Sequence, residues 1–388
     1  MTTQKLFVTA ATVSTFLFGM TVATSIQPPQ TWSANAVRTQ GSWNSDAAAK
    51  YMDGRAQYWL NWGGAARGKG TACISCHTSL PIALARPELG KLLGEKSPGA
   101  AERGMIANVD ARVAGWDDIL STTNYSLCYA YYPDQKPAAL GTESVMNSMG
   151  LVNNDALRSN GILSPASKTA LSYLWQEQQS DGSWKWLEFG LKPWESDGTY
   201  YGAALAAVTV GVAGHSYYSQ PNIQSNILSL RSYLRTNYAS RPLHDRVACL
   251  WASTYLPGIM SSSEQQALIQ QLYGIQKPDG GWSLQNFGAQ QSNPNGWGSG
   301  GVYPAGSVSD GFATGLTVLA LKRVGGQGGN QQLKKAVAWL ESSETGGSWP
   351  TNYINGPRDP QSNEGCFMRD AATSFAVLAL SEPVREAH

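Results

Sequence analysis

The sequence predicts an all-α fold in which six pairs of helices close into a ring, an (α/α)6 toroid. Three observations point there. Helical segments of two kinds alternate along the 388 residues, one amphipathic and one apolar on every side. A short motif ending in Gly-x-Trp recurs where a segment of the first kind gives way to one of the second. The composition, 42% hydrophobic and only 14% charged, can bury a large core and excludes a disordered chain.

The N terminus comes first. Lys5 is the only charge before Arg38, and Leu6 to Ala23 reads LFVTAATVSTFLFGMTVA. A basic start, an apolar run and small residues after it make a secretory signal, with cleavage after Ser25 or Ala36. Residues 1–36 are therefore expected to be signal and linker, and 37–388 the toroid domain, with a Cys- and His-containing motif at 73–77 inside it. The rival is an uncleaved anchor, since the run is nearly long enough to cross a bilayer. With the signal removed, the chain is expected to have no membrane span and to reside in the periplasm or another extracytoplasmic compartment. Its 28 basic and 27 acidic residues exclude nucleic-acid binding by bulk attraction. Five cysteines are too few for a disulfide scaffold.

Amphipathic segments, suited to an outer ring, are expected near Asp46–Trp62, Pro98–Ala114, Pro165–Gln178, Asn222–Leu234, Ser263–Gln276 and Gln331–Ser343. Segments apolar all round, suited to an inner ring, are expected near Leu80–Leu93, Thr142–Asn153, Asp197–Val212, Leu243–Leu256, Ser309–Leu321 and Asp370–Leu380. The last two share Ala-Thr followed by Val-Leu-Ala-Leu. Gly115 to Gly141 reads as a long connection. The Gly- and Asn-rich stretch Ser283–Ser307 reads as a surface insertion or a lid.

The recurring motif has three full copies: Tyr173-Leu174, Gln178 and Gly182-Ser183-Trp184; Leu272, Gln276 and Gly280-Gly281-Trp282; Trp339-Leu340, Glu344 and Gly347-Ser348-Trp349. Gln40-Gly41-Ser42-Trp43 repeats its tail. These segments resemble the QW motifs of the squalene–hopene cyclase, oxidosqualene cyclase and protein prenyltransferase superfamily. The resemblance runs from about residue 40 to the C terminus and implies an α/α toroid of that type. It also implies a structural role for the motif, the Gln amide reaching a neighbouring helix terminus while the Trp stacks beneath it. It stops at the catalytic residues. The chain has no D-x-D-D, D-C-T-A-E or D-D-x-x-D, and Asp117-Asp118 matches none of them. Cys249 and Cys366 lack the Asp and His partners of a prenyltransferase zinc site. Together with Cys128 they read as buried thiols, or as one disulfide and a thiol.

Cys73-Ile74-Ser75-Cys76-His77 is the chemical signal. C-x-x-C-H is the attachment sequence of c-type haem. Cys73 and Cys76 would form thioethers to the porphyrin, and His77 would be the axial iron ligand. A Cys73–Cys76 disulfide and a zinc site are the alternatives. The motif falls between the first outer and first inner segments, where other repeats carry the Gly-x-Trp turn. That placement predicts one covalent haem c at the mouth of the ring. Met368 is the leading sixth ligand. Met146, Met149 and His244 are further candidates, Met105 reads as core, and an open iron position is the remaining possibility. Glu143, Asp197, Asp245, Asp310 and Asp370 recur near inner-segment starts, as helix caps or as carboxylates around a cavity mouth. His244-Asp245-Arg246 reads as a polar network or a surface ion pair.

The function these readings support is an exported haem c protein. It would transfer electrons with a redox partner, or carry out haem redox chemistry on an apolar small molecule held in the ring. The alternatives are a terpenoid cyclase or prenyltransferase relative, and a non-catalytic lipid- or glycan-binding toroid.

Overall fold

A computed structural model of the protein describes residues 43–121, 135–288, 308–325, 327–351, 354–355 and 359–385. The expected signal segment, the Gln40-Gly41-Ser42 tail, Cys128 and most of Ser283–Ser307 lie outside these residues. The fold is all-α apart from one small ribbon. In order the chain forms α1 (Ser45–Asn61), the antiparallel strands β1 (Ala66–Arg67) and β2 (Thr71–Ala72), α2 (Ser79–Leu92), α3 (Ala100–Ala114), α4 (Trp116–Ser121) and α5 (Lys136–Arg158). It continues through α6 (Pro165–Glu177), α7 (Thr199–Val212), α8 (His215–Tyr218), α9 (Gln224–Asn237), α10 (Leu243–Ser253) and α11 (Ser262–Gly274). The last three are α12 (Gly311–Val324), α13 (Gln331–Ser343) and α14 (Asn363–Ser381). No helix among the described residues is long and apolar enough to cross a membrane.

Burial separates the two helix types. In α6 the buried positions are Ser167, Ala170, Leu171 and Leu174, one stripe at helical spacing. In α12 every residue from Gly311 to Arg323 is buried, as is every residue of α7 from Tyr200 to Val210. The mostly buried helices contact one another in an unbroken cycle: α2 on α5, α5 on α7, α7 on α10, α10 on α12, α12 on α14, and α14 back on α2. The one-sided helices α1, α3, α6, α9, α11 and α13 each pack against a member of that cycle.

The Gly-x-Trp turns tie successive one-sided helices together. Trp184, Trp282 and Trp349 are buried, and each indole Nε1 donates to a carbonyl in the last turn of the preceding helix: Leu174 at 2.8 Å, Leu272 at 2.8 Å and Leu340 at 2.7 Å. The last carbonyls of a helix lack their usual i+4 amide, and Leu272 O also accepts from Ile275 N at 3.2 Å. Gln178 Nε2 donates to Asn226 O on α9 at 3.1 Å, and Gln276 Nε2 to Gln332 O on α13 at 2.8 Å. In the last copy Glu344 accepts from the amide of Asn44 at 3.4 Å, immediately before α1. The turn glycine takes positive φ each time, +94° at Gly182, +99° at Gly280 and +84° at Gly347. Its missing side chain lets the turn press against the next helix, at Ser229 O, Lys335 O and Ala47 O respectively.

Two helix starts differ from expectation. α5 begins at Lys136, with Pro137 in its first turn, so Gly141 is helical rather than part of a connection. α14 begins at Asn363 because the Ser362 hydroxyl caps it, accepting from Gly365 N at 3.0 Å. Met368 and Asp370 therefore lie inside α14. The capping reading of the acids holds for Asp310, whose carboxylate accepts from Ala313 N at 2.7 Å. It fails for Glu143 and Asp370, which sit within their helices and pair with arginines. Glu143 pairs with Arg112 of α3, with one contact at 2.8 Å, and Asp370 with Arg55 of α1 at 2.8 Å.

Candidate functional site

The C-x-x-C-H segment runs from β2 into α2, and local hydrogen bonds fix its path. Cys73 N donates to Ala65 O at 2.8 Å, and Trp59 Nε1 donates to Cys73 O at 2.7 Å. Ser75 Oγ accepts from Thr78 N at 3.1 Å and Ser79 N at 3.0 Å. One hydroxyl thus satisfies two amides at the start of α2 and folds the motif into a tight turn.

Both thiols point into apolar surroundings. Cys73 and Cys76 are free and buried, and Cys76 Sγ lies 3.6 Å from Met146 Sδ on α5. Burial pushes the Cys73 thiol up to about 11 and the Cys76 thiol well above its ordinary value. His77 is half-buried. Its ring stacks on Phe367 of α14, with centroids 5.0 Å apart and planes 20° apart, and meets Trp59 edge-on at 5.3 Å. Trp62 completes the aromatic cluster, 5.6 Å from Trp59 and 5.0 Å from Phe367.

Behind the imidazole lies a buried polar chain. His77 Nδ1 is 3.0 Å from Thr78 Oγ1, and that hydroxyl donates to Asp370 Oδ2 at 2.9 Å. Asp370 also accepts from Arg55 Nε at 2.8 Å, Arg55 Nη2 at 3.0 Å and Tyr51 OH at 2.9 Å. Burial raises the Asp370 carboxyl's pKa, and the Arg55 charge acts against that rise. A hydroxyl has one proton, and here it is committed to the carboxylate. Thr78 Oγ1 then accepts from His77, which in the neutral imidazole puts the proton on Nδ1 and leaves Nε2 with the lone pair.

Cys73, Cys76 and His77 are the residues that could hold a covalent haem. Two thiols three positions apart precede directly in the chain an imidazole whose Nδ1–H tautomer, when neutral, suits metal ligation through Nε2. A thioether sulfur is uncharged, so the apolar surroundings that disfavour a thiolate do not oppose it. Among the described residues no group of three or more His, Cys, Asp and Glu side chains gathers as a metal cluster, so the zinc alternative finds no further ligands there.

The other candidates are dispersed. Met368 is buried in the second turn of α14, next to Phe367. Met105 is buried on α3. Met149 lines a pit to which all six members of the helix cycle contribute, with Leu84, Val208, Trp251, Leu319 and Leu378. The pit is about 20 Å³, room for a single water. His244 is buried between Tyr201 and Phe312, with ring centroids at 5.1 and 5.8 Å. Its Nδ1 lies 2.9 Å from Asp245 Oδ1, and its Nε2 has no hydrogen-bond partner among the described residues. The expected His244-Asp245-Arg246 grouping is a network with a different arginine. Arg241 bonds Asp245 at 3.1 Å and Asp197 at 2.7 Å, beside a polar pocket of about 320 Å³.

Sequence reasoning missed Thr78, Arg55, Tyr51 and Phe367 as parts of the site. Thr78 carried a signal, since it directly follows the motif. The others come from α1 and α14, some 300 positions apart in the chain, and no local pattern marks them. Compared with protein families and with curated proteins, the chain matches none.

Proposed function

We propose that the protein is an exported electron-transfer protein, a terpenoid-cyclase-type (α/α)6 toroid carrying one haem c in its first repeat. The observation that carries this reading is the C-x-x-C-H turn at the start of α2, with His77 Nδ1 hydrogen-bonded to Thr78 and through it to Asp370. Bound there, haem c would supply reversible one-electron chemistry. Cys73 and Cys76 would anchor it covalently and His77 would ligate its iron. Trp59, Trp62 and Phe367 would keep water from the imidazole. Met368 is the sequence's candidate for a second iron ligand, and Met146 is the thioether in contact with the motif. The unbroken cycle of buried helices and the Gly-x-Trp contacts support the toroid.

Electron transfer is favoured over chemistry on an apolar molecule by the size of the pit. A chamber for a drug-sized or larger apolar ligand runs to roughly 300 Å³ or more, whereas among the described residues the pit between the six helices is about 20 Å³ and the pocket of about 320 Å³ beside Arg241 is lined chiefly by polar residues. A secretory signal at the N terminus is part of the proposal, because haem attachment to such motifs takes place outside the cytoplasm.

The test is a pyridine haemochrome spectrum of the chain exported alongside the c-type maturation machinery, with Cys73→Ala/Cys76→Ala as control. A covalent c-type spectrum in the wild type, lost in the variant, is expected. A wild type without haem overturns the reading.

A further inference from the structure

We infer that Thr78, Asp370 and Arg55 form a positioning relay that fixes the tautomer of His77 and sets the reduction potential of the haem it would hold. The inference rests on the haem reading and assigns the control of that site to residues that touch neither the thiols nor the imidazole's ligating nitrogen.

The geometry goes beyond a structural ion pair. A carboxylate has about four acceptor positions, and Asp370 uses four: Tyr51 OH and Arg55 Nε on Oδ1, Arg55 Nη2 and Thr78 Oγ1 on Oδ2. Fully supplied with donors, the anion acts on Thr78 as a fixed acceptor, and Thr78 in turn acts as a fixed acceptor for His77 Nδ1. Phe367 and Asp370 lie three residues apart on α14, hence on one face of the helix. Phe367 covers the face of the imidazole while Asp370, through Thr78, holds its Nδ1 end. A single helix turn therefore restrains both the rotation and the protonation of one ring. That helix is the last of the fold and packs on α2, which begins just after the motif. The state of His77 is thereby coupled to closure of the helix cycle.

A hydrogen bond accepted from Nδ1–H raises the basicity of Nε2 and favours the oxidised metal. Removing the acceptor should make the bound haem easier to reduce. Thr78→Val keeps the shape of the side chain and deletes the hydroxyl, and Thr78→Ser keeps the hydroxyl. Redox titration of the haem-loaded proteins should move Thr78→Val to a more positive potential. The shift expected is about tenfold in the oxidised-to-reduced ratio, or about 59 mV for one electron, with Thr78→Ser near the wild type. The full-length Cys73→Ala/Cys76→Ala chain supplies a second readout without haem. Nitrogen NMR of its His77 side chain should show the Nδ1–H tautomer, and adding Thr78→Val should turn this into a mixture. Equal potentials in wild type and Thr78→Val, or a Thr78→Ser shift as large as that of Thr78→Val, overturn the relay and leave the haem reading standing. An unchanged tautomer on loss of the hydroxyl overturns the relay whether or not haem binds. A wild type without haem, its tautomer nonetheless fixed by Thr78, overturns the haem reading and with it the control of a potential.

Discussion

Replacing Gly347 by Ala tests whether the last repeat closes onto the first. Gly347 has φ +84°, and a side chain there would run into the carbonyl oxygen of Ala47 in the first turn of α1. A non-glycine residue forced to positive φ costs about 1–3 kcal/mol, and overpacking against rigid backbone costs about 1–3 kcal/mol more. Their sum is centred on roughly 4 kcal/mol. At a urea m-value of about 3 kcal/mol/M for a chain of this size, the unfolding midpoint should fall by roughly 1 M. Gly54→Ala is the control, because Gly54 is exposed within α1 and has open space around its Cα. It should gain about 0.5–1 kcal/mol from helix propensity alone. Gly280→Ala, whose Cβ would stand 2.6 Å from Lys335 O at φ +99°, should lose stability like Gly347→Ala. If Gly347→Ala unfolds within about 0.5 kcal/mol of the wild type while Gly280→Ala does not, the contact between the last turn and α1 is refuted, and with it the closed cycle.

Two more outcomes follow from buried charge and buried sulfur. Arg55→Met leaves the Asp370 carboxylate buried without its cation and should cost about 3–5 kcal/mol in urea unfolding; adding Asp370→Asn should recover most of that, and a single variant as stable as the wild type would contradict the pairing. In the haem-free chain Cys73 is pushed up to about 11 from an ordinary 9, so at about pH 8 its thiolate is roughly 100-fold scarcer than that of an exposed cysteine. Its alkylation should be slower by about that factor and rise roughly tenfold per pH unit until the pH approaches 11, and alkylation as fast as in urea-unfolded chain would show that the motif is not buried.

The fold was legible because its signals are short-range and repeated. An apolar stripe such as Ala170, Leu171 and Leu174, against an unbroken buried run such as Gly311 to Arg323, distinguishes a helix with one wet side from a helix with none. Each Gly-x-Trp turn follows its helix within ten positions, the reach of the indole bonds that hold it. Helix starts were less legible. A capping serine such as Ser362 is one polar residue among several, and the two helical turns that it adds ahead of Asp370 contain Asn363, Glu364 and Gly365, which break the apolar pattern used to place α14.

The site divides along the same line. Cys73, Cys76 and His77 are contiguous, so the chemistry they imply can be read from five residues. Asp370 shows why the rest could not be. Aligned on Thr314 and Thr373, which meet the amides of Trp282 and Trp349 at 2.9 and 3.3 Å, the last two buried helices place Asp370 level with Gly311 rather than with Asp310. One position along a helix is a turn of about 100°. Asp310 faces its own backbone and caps α12, while Asp370 faces Arg55, Tyr51 and Thr78. To the sequence these are two acids near two helix starts, and capping accounts for both equally well. The hundred degrees between them separate a cap from a carboxylate that reaches the imidazole, and that difference becomes visible only when the last helix packs beside the first.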